Sequence, residues 1–261
     1  MPSDIQPDLV VTAVSYSIQW LQPEANRQAV EQLLPTLPKS DIILLPETFT
    51  TGFGLGMEKL AEPPSGPTLQ WMHAMARQYG AMMVATWIVR QGDQCFNRLH
   101  LITPEGDCHT YDKAHTFRPS GESTIIARGR QRTVVEWRGW RLRPAVCYDL
   151  RFPTWLRNSN TPNGRLAYDL LLVCANWPSS RQAAWDTLLR ARAIENLCYA
   201  AGCNCRGTDP SGATYIGGSA LIDHKGTPLA TDSNSHYATA TFHLHDLHHF
   251  RQRWPFHLDF D

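Results

Sequence analysis

With 261 residues, 43% of them hydrophobic and 18% charged, the chain is long enough to bury a large core. Lys plus Arg and Asp plus Glu number 24 each, so the formal net charge is zero. No basic block offers the phosphate-neutralising footprint of a nucleic-acid binder and no apolar run is long enough to span a membrane, so neither is expected as a partner.

The opening MPSDIQPDLV lacks the basic flank and apolar stretch of a secretory signal, which points to the cytoplasm. There the seven cysteines, Cys95, Cys108, Cys147, Cys174, Cys198, Cys203 and Cys205, are expected as reduced thiols. Residues 9–15 read as a strand and 26–34 as a helix ending near Pro35. The run at 41–45 is apolar after Asp41 and is stopped by Pro46, a pattern that suits a strand buried on both faces. Residues 67–79 carry apolar positions at helical spacing, with Pro67 in the first turn and Gly80 closing the helix. A strand over 82–89 follows, then a hairpin from 97–102 through the Pro104-Glu105-Gly106-Asp107 turn.

The densest basic stretch, 128–143, alternates with Val134, Val135, Trp137 and Trp140 and reads as strand edges facing water. A second hairpin over 133–146 turns at Arg138-Gly139. Residues 170–175 form another buried strand and 183–196 a helix. Strands near 198–203 and 217–222 follow, then a turn at Asp223-His224-Lys225-Gly226. His243, His245, His248 and His249 are irregularly spaced and terminal, so a solvated, partly helical tail is expected and no metal site. Helices interleaved with strands and frequent hairpins argue for mixed sheets with helices outside, in one α/β domain over 1–261. No internal repeat is visible.

Loops after apolar strands are where such folds place chemistry. Cys147 ends the run Pro144-Ala-Val-Cys147 and precedes a polar, turn-capable segment, so its sulfur can stand above a sheet edge with backbone amides beside it. A core cysteine ending a strand fits the same text. A thiol nucleophile needs a base, because free Cys is mostly protonated at neutral pH with a pKa of about 8.5. Glu47, directly after the 41–45 strand, is a candidate base whose pKa partial burial would raise; a strand-terminal acid capping its loop is the alternative. Lys113 could supply positive charge to a thiolate or an oxyanion, unless it is simply a solvated surface lysine. A papain-type pair would use His115, and the lack of a disulfide framework and of a secretory signal argues against it. A cysteine phosphatase is excluded, because Arg151 follows Cys147 by four residues with no Gly-rich cradle. A non-catalytic binding module would need none of these polar positions at strand ends.

In chain order, Leu-Leu-Pro-Glu47, Tyr-Asp-Lys113-Ala-His and Val-Cys147-Tyr-Asp-Leu-Arg-Phe-Pro resemble the nitrilase superfamily of carbon–nitrogen hydrolases. Asn97-Arg98, 170–178, Ala191-Arg-Ala-Ile-Glu-Asn196 and Gly217-Gly-Ser219 extend the resemblance over nearly the whole chain. Trp137-Arg-Gly-Trp140, Ala175-Asn-Trp-Pro178 and Arg181 followed by Trp185 make the omega-amidase branch the best match. The resemblance implies a four-layer α-β-β-α sandwich, a homodimer and a small-molecule amide substrate, with no cofactor. It further implies hydrolysis of the terminal amide of 2-oxoglutaramate or 2-oxosuccinamate through a cysteine thioester. Aliphatic amidase, carbamoyl amidase and nitrilase activities use the same three residues and stand as alternatives.

Glu47, Lys113 and Cys147 would be catalytic, with Glu122 positioning the lysine and the Tyr148 N–H helping to bind the oxyanion. Around Glu122 the chain departs from its look-alikes, with Ala114 and Thr116 flanking His115 and no Tyr in 120–126. Arg181, just past the Trp177 loop, is the candidate cation for a substrate carboxylate, with Trp177 beside it. Arg151 reads as a structural ion-pair partner for Asp149 or another buried acid.

Overall fold

The unbroken apolar run after Asp41 is explained by what covers each of its faces. Ile42 and Leu44 point into one buried cluster, and Ile43 and Leu45 point into another. In a computed structural model that describes residues 8–233 and 235–260, this segment is an inner strand of a sandwich.

The first half of the chain supplies β1 (Leu9–Val14), α1 (Pro23–Leu33), β2 (Ile42–Leu44), α2 (Pro67–Tyr79), β3 (Met82–Gln91), β4 (Gln94–Ile102) and β5 (Cys108–Asp112). After the short α3 (Glu122–Ile125) come β6 (Val135–Trp137), β7 (Trp140–Val146), α4 (Pro153–Leu156), β8 (Leu170–Ala175), α5 (Gln182–Glu195) and β9 (Tyr199–Asn204). A small hairpin, β10 (Arg206–Thr208) with β11 (Thr214–Ile216), precedes β12 (Ala220–Ile222), β13 (Pro228–Thr231), β14 (Tyr237–Phe242) and α6 (Leu244–Arg253).

Two six-stranded sheets result, ordered β14-β1-β2-β3-β4-β5 and β13-β12-β9-β8-β7-β6. Each has three parallel strands at its centre, β1-β2-β3 and β7-β8-β9, with antiparallel strands on both sides. The sequence shows no repeat, yet the two sheets share one pattern of strand directions. Leu9, Val11 and Val84 of the first sheet meet Leu142, Ala145 and Leu172 of the second in the central core. Val30 of α1 and Met72 and Ala76 of α2 pack on the outer face of the first sheet. Trp185, Leu189 and Ala193 of α5, with Leu244 and Leu247 of α6, join the core on the side of the second. This is the four-layer α-β-β-α arrangement that the resemblance implied.

α2 and β8 have the bounds read from the sequence, because Pro67 opens the helix and Gly80 ends it in the left-handed conformation (φ 60°). The β6–β7 turn is where it was expected, with Arg138 at φ 47° and Gly139 at φ 80°, both as a two-residue hairpin turn requires. Three expectations are corrected. α1 starts at Pro23, whose fixed φ suits a first turn, although Gln22 makes no side-chain cap. The basic stretch does not simply face water: Arg143 is 3% exposed and donates to the Thr133 and Trp155 carbonyls, and Arg141 pairs with Asp169. The His-rich segment is helical and exposes His243, His245 and His249 as expected, but it is no free tail, since Leu244 and Leu247 are buried and Arg251 binds Asp169 and the Leu197 and Tyr168 carbonyls.

α5 lies so close to β9 that Gly202 has no room for a side chain. A Cβ there would sit 2.6 Å from Leu189 Cδ2 and 2.8 Å from Trp185 Cζ2. A Gly202→Ala variant is expected to lose about 1–3 kcal/mol, read as a lower midpoint in urea with an unchanged m-value. An unshifted midpoint would show that α5 moves away freely.

Candidate active site

The carboxyl ends of the central parallel strands of both sheets meet at one point. Glu47 follows β2, Cys147 follows β7 and Asn176 follows β8. The loop carrying Glu47 is fastened across the sandwich, with its N–H donating to the Ala175 carbonyl at 3.3 Å and its carbonyl accepting from Asn176 Nδ2. Lys113 arrives from the first sheet, where its N–H bonds the Asn97 carbonyl at 2.9 Å just past β5.

All three candidate residues are therefore adjacent, although 66 residues separate Glu47 from Lys113. Lys113 Nζ lies 2.7 Å from Glu47 Oε1 and 2.9 Å from Glu122 Oε2. Asn97 Nδ2 donates to Glu47 Oε1 at 2.8 Å, and the Asn176 N–H donates to Glu47 Oε2 at 3.1 Å. The Cys147 thiol donates to the Asn176 carbonyl at 3.7 Å, and the Glu47 carboxylate lies near enough for its charge to act on it. Glu122 grips the ammonium with both oxygens, despite the altered residues around it.

Electrostatics follow from this dry packing, since Glu47 is 0% and Lys113 1% exposed. Burial pushes the Glu47 carboxyl above the ordinary glutamate value, Lys113 opposes that shift, and the Glu122 charge adds to it. Burial alone would depress the Lys113 ammonium, but Glu122 and Glu47 outweigh it and hold its pKa above that of free lysine. Burial and then the Glu47 charge push the Cys147 thiol up, with Lys113 pulling the other way. The arrangement favours a protonated thiol beside a carboxylate with a strengthened hold on protons. It suits proton transfer during attack better than a thiolate formed in advance.

Cys147 itself has φ 43°, in the left-handed region, between the end of β7 and a single turn of 3₁₀ helix over Cys147–Arg151. For a residue other than glycine this conformation costs about 1–3 kcal/mol, so surrounding contacts must impose it. It turns the thiol off the strand end, and it leaves the Tyr148 N–H in a first turn, outside the helical hydrogen bonds.

The thiol opens on a cavity of about 530 Å³ lined by Phe53, Phe117, Tyr148, Arg151, Trp177 and Arg181 among others, while Glu47 and Lys113 lie behind it. Trp177 is fixed as a wall, its N–H bonded to Asn204 Oδ1 and its indole Nε1 to the Arg181 carbonyl. The Arg181 guanidinium stands 5.3 Å from the Phe117 ring centroid, and the Arg151 guanidinium 4.8 Å from that of Trp177. Neither forms an ion pair among the described residues. Arg151 is thus a cavity residue and not the expected partner of Asp149, whose oxygens are taken by Tyr111, His115 and Val146. His115 likewise faces Asp149, so it is not the base for Cys147. Among the described residues Asp209 is the one acid on the wall, and Ser211, Ala213 and Tyr215 occupy its carboxylate. Among the described residues no cluster of His, Cys, Asp and Glu is arranged to hold a metal ion.

Asn97 and Asn176 stand within segments that carry the resemblance, but the sequence assigns neither a role. Asn97 is a fully buried amide in β4, and such a group requires partners, but with Gln94, Arg98 and His100 in the same strand the sequence carries no signal for it.

The sequence model of the family described as "Carbon-nitrogen hydrolase" matches residues 10–252. Over 259 residues the chain is 39% identical to "Omega-amidase YafV" of Escherichia coli, with 98% of each chain covered. It is 32% identical over 224 residues to "2-oxoglutaramate amidase" of Bacillus subtilis, covering 84% of this chain and 85% of that one. The crystal structure of XC1258 from Xanthomonas campestris, a CN-hydrolase superfamily protein with an arsenic adduct in its active site, matches with TM-score 0.94. Its sequence is 43% identical, with 98% of both chains covered.

Proposed function

The chain belongs to the carbon–nitrogen hydrolase family, and from that premise we propose that it is a cysteine-dependent amidase for small omega-amides of 2-oxo acids. 2-Oxoglutaramate and 2-oxosuccinamate are the proposed substrates, each hydrolysed to the 2-oxo diacid and ammonia. The observation that carries this reading is a thiol at the floor of a cavity, backed by a buried carboxylate and ammonium, with two guanidiniums on the same cavity that form no ion pair among the described residues.

In the first step Glu47 takes the Cys147 proton as the sulfur bonds to the amide carbon. The Lys113 ammonium and the Tyr148 N–H stabilise the oxygen as it gains charge. Glu47 returns the proton to the nitrogen, the C–N bond breaks and ammonia leaves a thioester. Glu47 then deprotonates water, whose oxygen replaces the sulfur, and the thiol is restored with the acid released.

At the other end of the substrate a carboxylate is proposed to meet Arg181, with Arg151 as a second cation on the same cavity. A guanidinium–carboxylate hydrogen bond contributes about 1.5–3 kcal/mol, so its loss raises KM roughly tenfold or more. Ammonia release from 2-oxoglutaramate and from propionamide tests the assignment. Arg181→Ala is expected to impair the first selectively, whereas equal losses on both amides, or no release from 2-oxoglutaramate by the unaltered protein, would defeat the reading.

A further inference from the structure

We propose that Asp149 and His115 are a positioning couple that holds the lysine segment against the strained turn at Cys147. The inference rests on the functional reading above and names two residues that the reaction scheme does not use. His115 follows Lys113 by two residues and Asp149 follows Cys147 by two, so one bond between them ties both reacting segments together.

The Asp149 carboxylate is 0% exposed and accepts four hydrogen bonds. Its Oδ1 takes the His115 N–H at 2.9 Å and the ring Nδ1–H at 2.8 Å. Its Oδ2 takes the Tyr111 hydroxyl at 2.8 Å and the Val146 N–H at 3.0 Å. Tyr111 lies in β5, which leads to Lys113, and Val146 is the residue before Cys147. The four donors therefore come from both sides of the reacting pair. The His115 ring is itself locked, stacked on Phe152 at 3.8 Å and edge-on to Trp155 at 5.6 Å, just beyond the turn. Among the described residues His115 is the sole basic side chain that pairs with Asp149. An uncompensated left-handed φ at Cys147 would relax, so the carboxylate that grips its neighbours is well placed to impose it. Neither residue touches substrate in this scheme. Both act through Lys113 and Cys147.

The test compares His115→Ala, Asp149→Asn and His115→Asn, the last keeping a side-chain N–H within reach of Asp149. The rate at which 2-chloroacetamide alkylates Cys147, followed by peptide mass, is measured beside kcat, KM and melting temperature. His115→Ala and Asp149→Asn are expected to slow alkylation and kcat about tenfold or more with KM nearly unchanged, as a misplaced reacting group does. His115→Asn is expected to recover most of both rates. Unchanged alkylation and kcat in folded His115→Ala, whatever its melting temperature, would overturn the proposal and leave the couple a stabilising contact only. Should the unaltered protein release no ammonia from any omega-amide, the functional reading fails, while the alkylation rates still decide the positioning role.

Discussion

Ammonia release is expected to fall to background in a Cys147→Ala variant that still folds. The scheme has no other nucleophile, and alanine cannot form the acyl intermediate. Folding is expected to survive, because the thiol's hydrogen bond to the Asn176 carbonyl is a long one and little volume is lost. The measurement pairs an ammonia assay on 2-oxoglutaramate with circular dichroism and thermal melting. A second arm adds mass spectrometry of the unaltered protein quenched during turnover, where an acyl adduct on Cys147 is expected. Undiminished turnover in the alanine variant would remove the thiol from the chemistry altogether.

Glu47→Gln carries the second large effect. Glutamine keeps an oxygen for Asn97 and leaves Lys113 paired with Glu122, so the ammonium retains a counter-charge. It cannot accept the thiol proton, and kcat/KM is expected to drop about a hundredfold or more. The pH dependence gives an independent check. A general base works only when ionised, so activity is lost as pH falls through its pKa. Burial raises the pKa of Glu47, which places the acid limb of kcat/KM above the ordinary glutamate value of 4.5. That limb is expected in the unaltered enzyme and absent from the residual rate of Glu47→Gln. An acid limb that persists unshifted in the variant would assign the base to another group.

Much of this architecture was legible where one residue type has one physical consequence. Pro67 and Gly80 bracket α2, Gly139 marks the β6–β7 turn, and the apolar run of β8 identifies an inner strand. Segments whose packing face is narrow were not legible. In α6 the buried Leu244, Leu247 and Arg251 form a stripe at helical spacing, but three histidines, Asp246 and Gln252 around it read as solvent-facing. The strand expected to end at 89 continues through the Gly92-Asp93 turn into β4, because polar ends of a long hairpin carry no apolar signature. At the site, Glu47, Lys113 and Cys147 stand out in the sequence through the text around them and not through their chemistry, since each alone fits a commonplace role. The backbone conformation of Cys147 was invisible, because nothing in a cysteine's side chain announces a left-handed φ. The place of Arg151 was misjudged for a related reason: only coordinates reveal that Tyr111, His115 and Val146 had already taken Asp149.

The pairing of β1 with β14 bears on how the molecule is assembled. Thr12 and Thr239 share a hydrogen bond across 227 residues of chain. On the ribosome, one edge of β1 emerges long before the strand that will cover it, while β2 and β3 can already add to its other side. Such distant pairings close slowly, and until they close the bare edge is open to pairing with other chains. Closure of the first sheet on this side of β1 must therefore wait until β14 has been made.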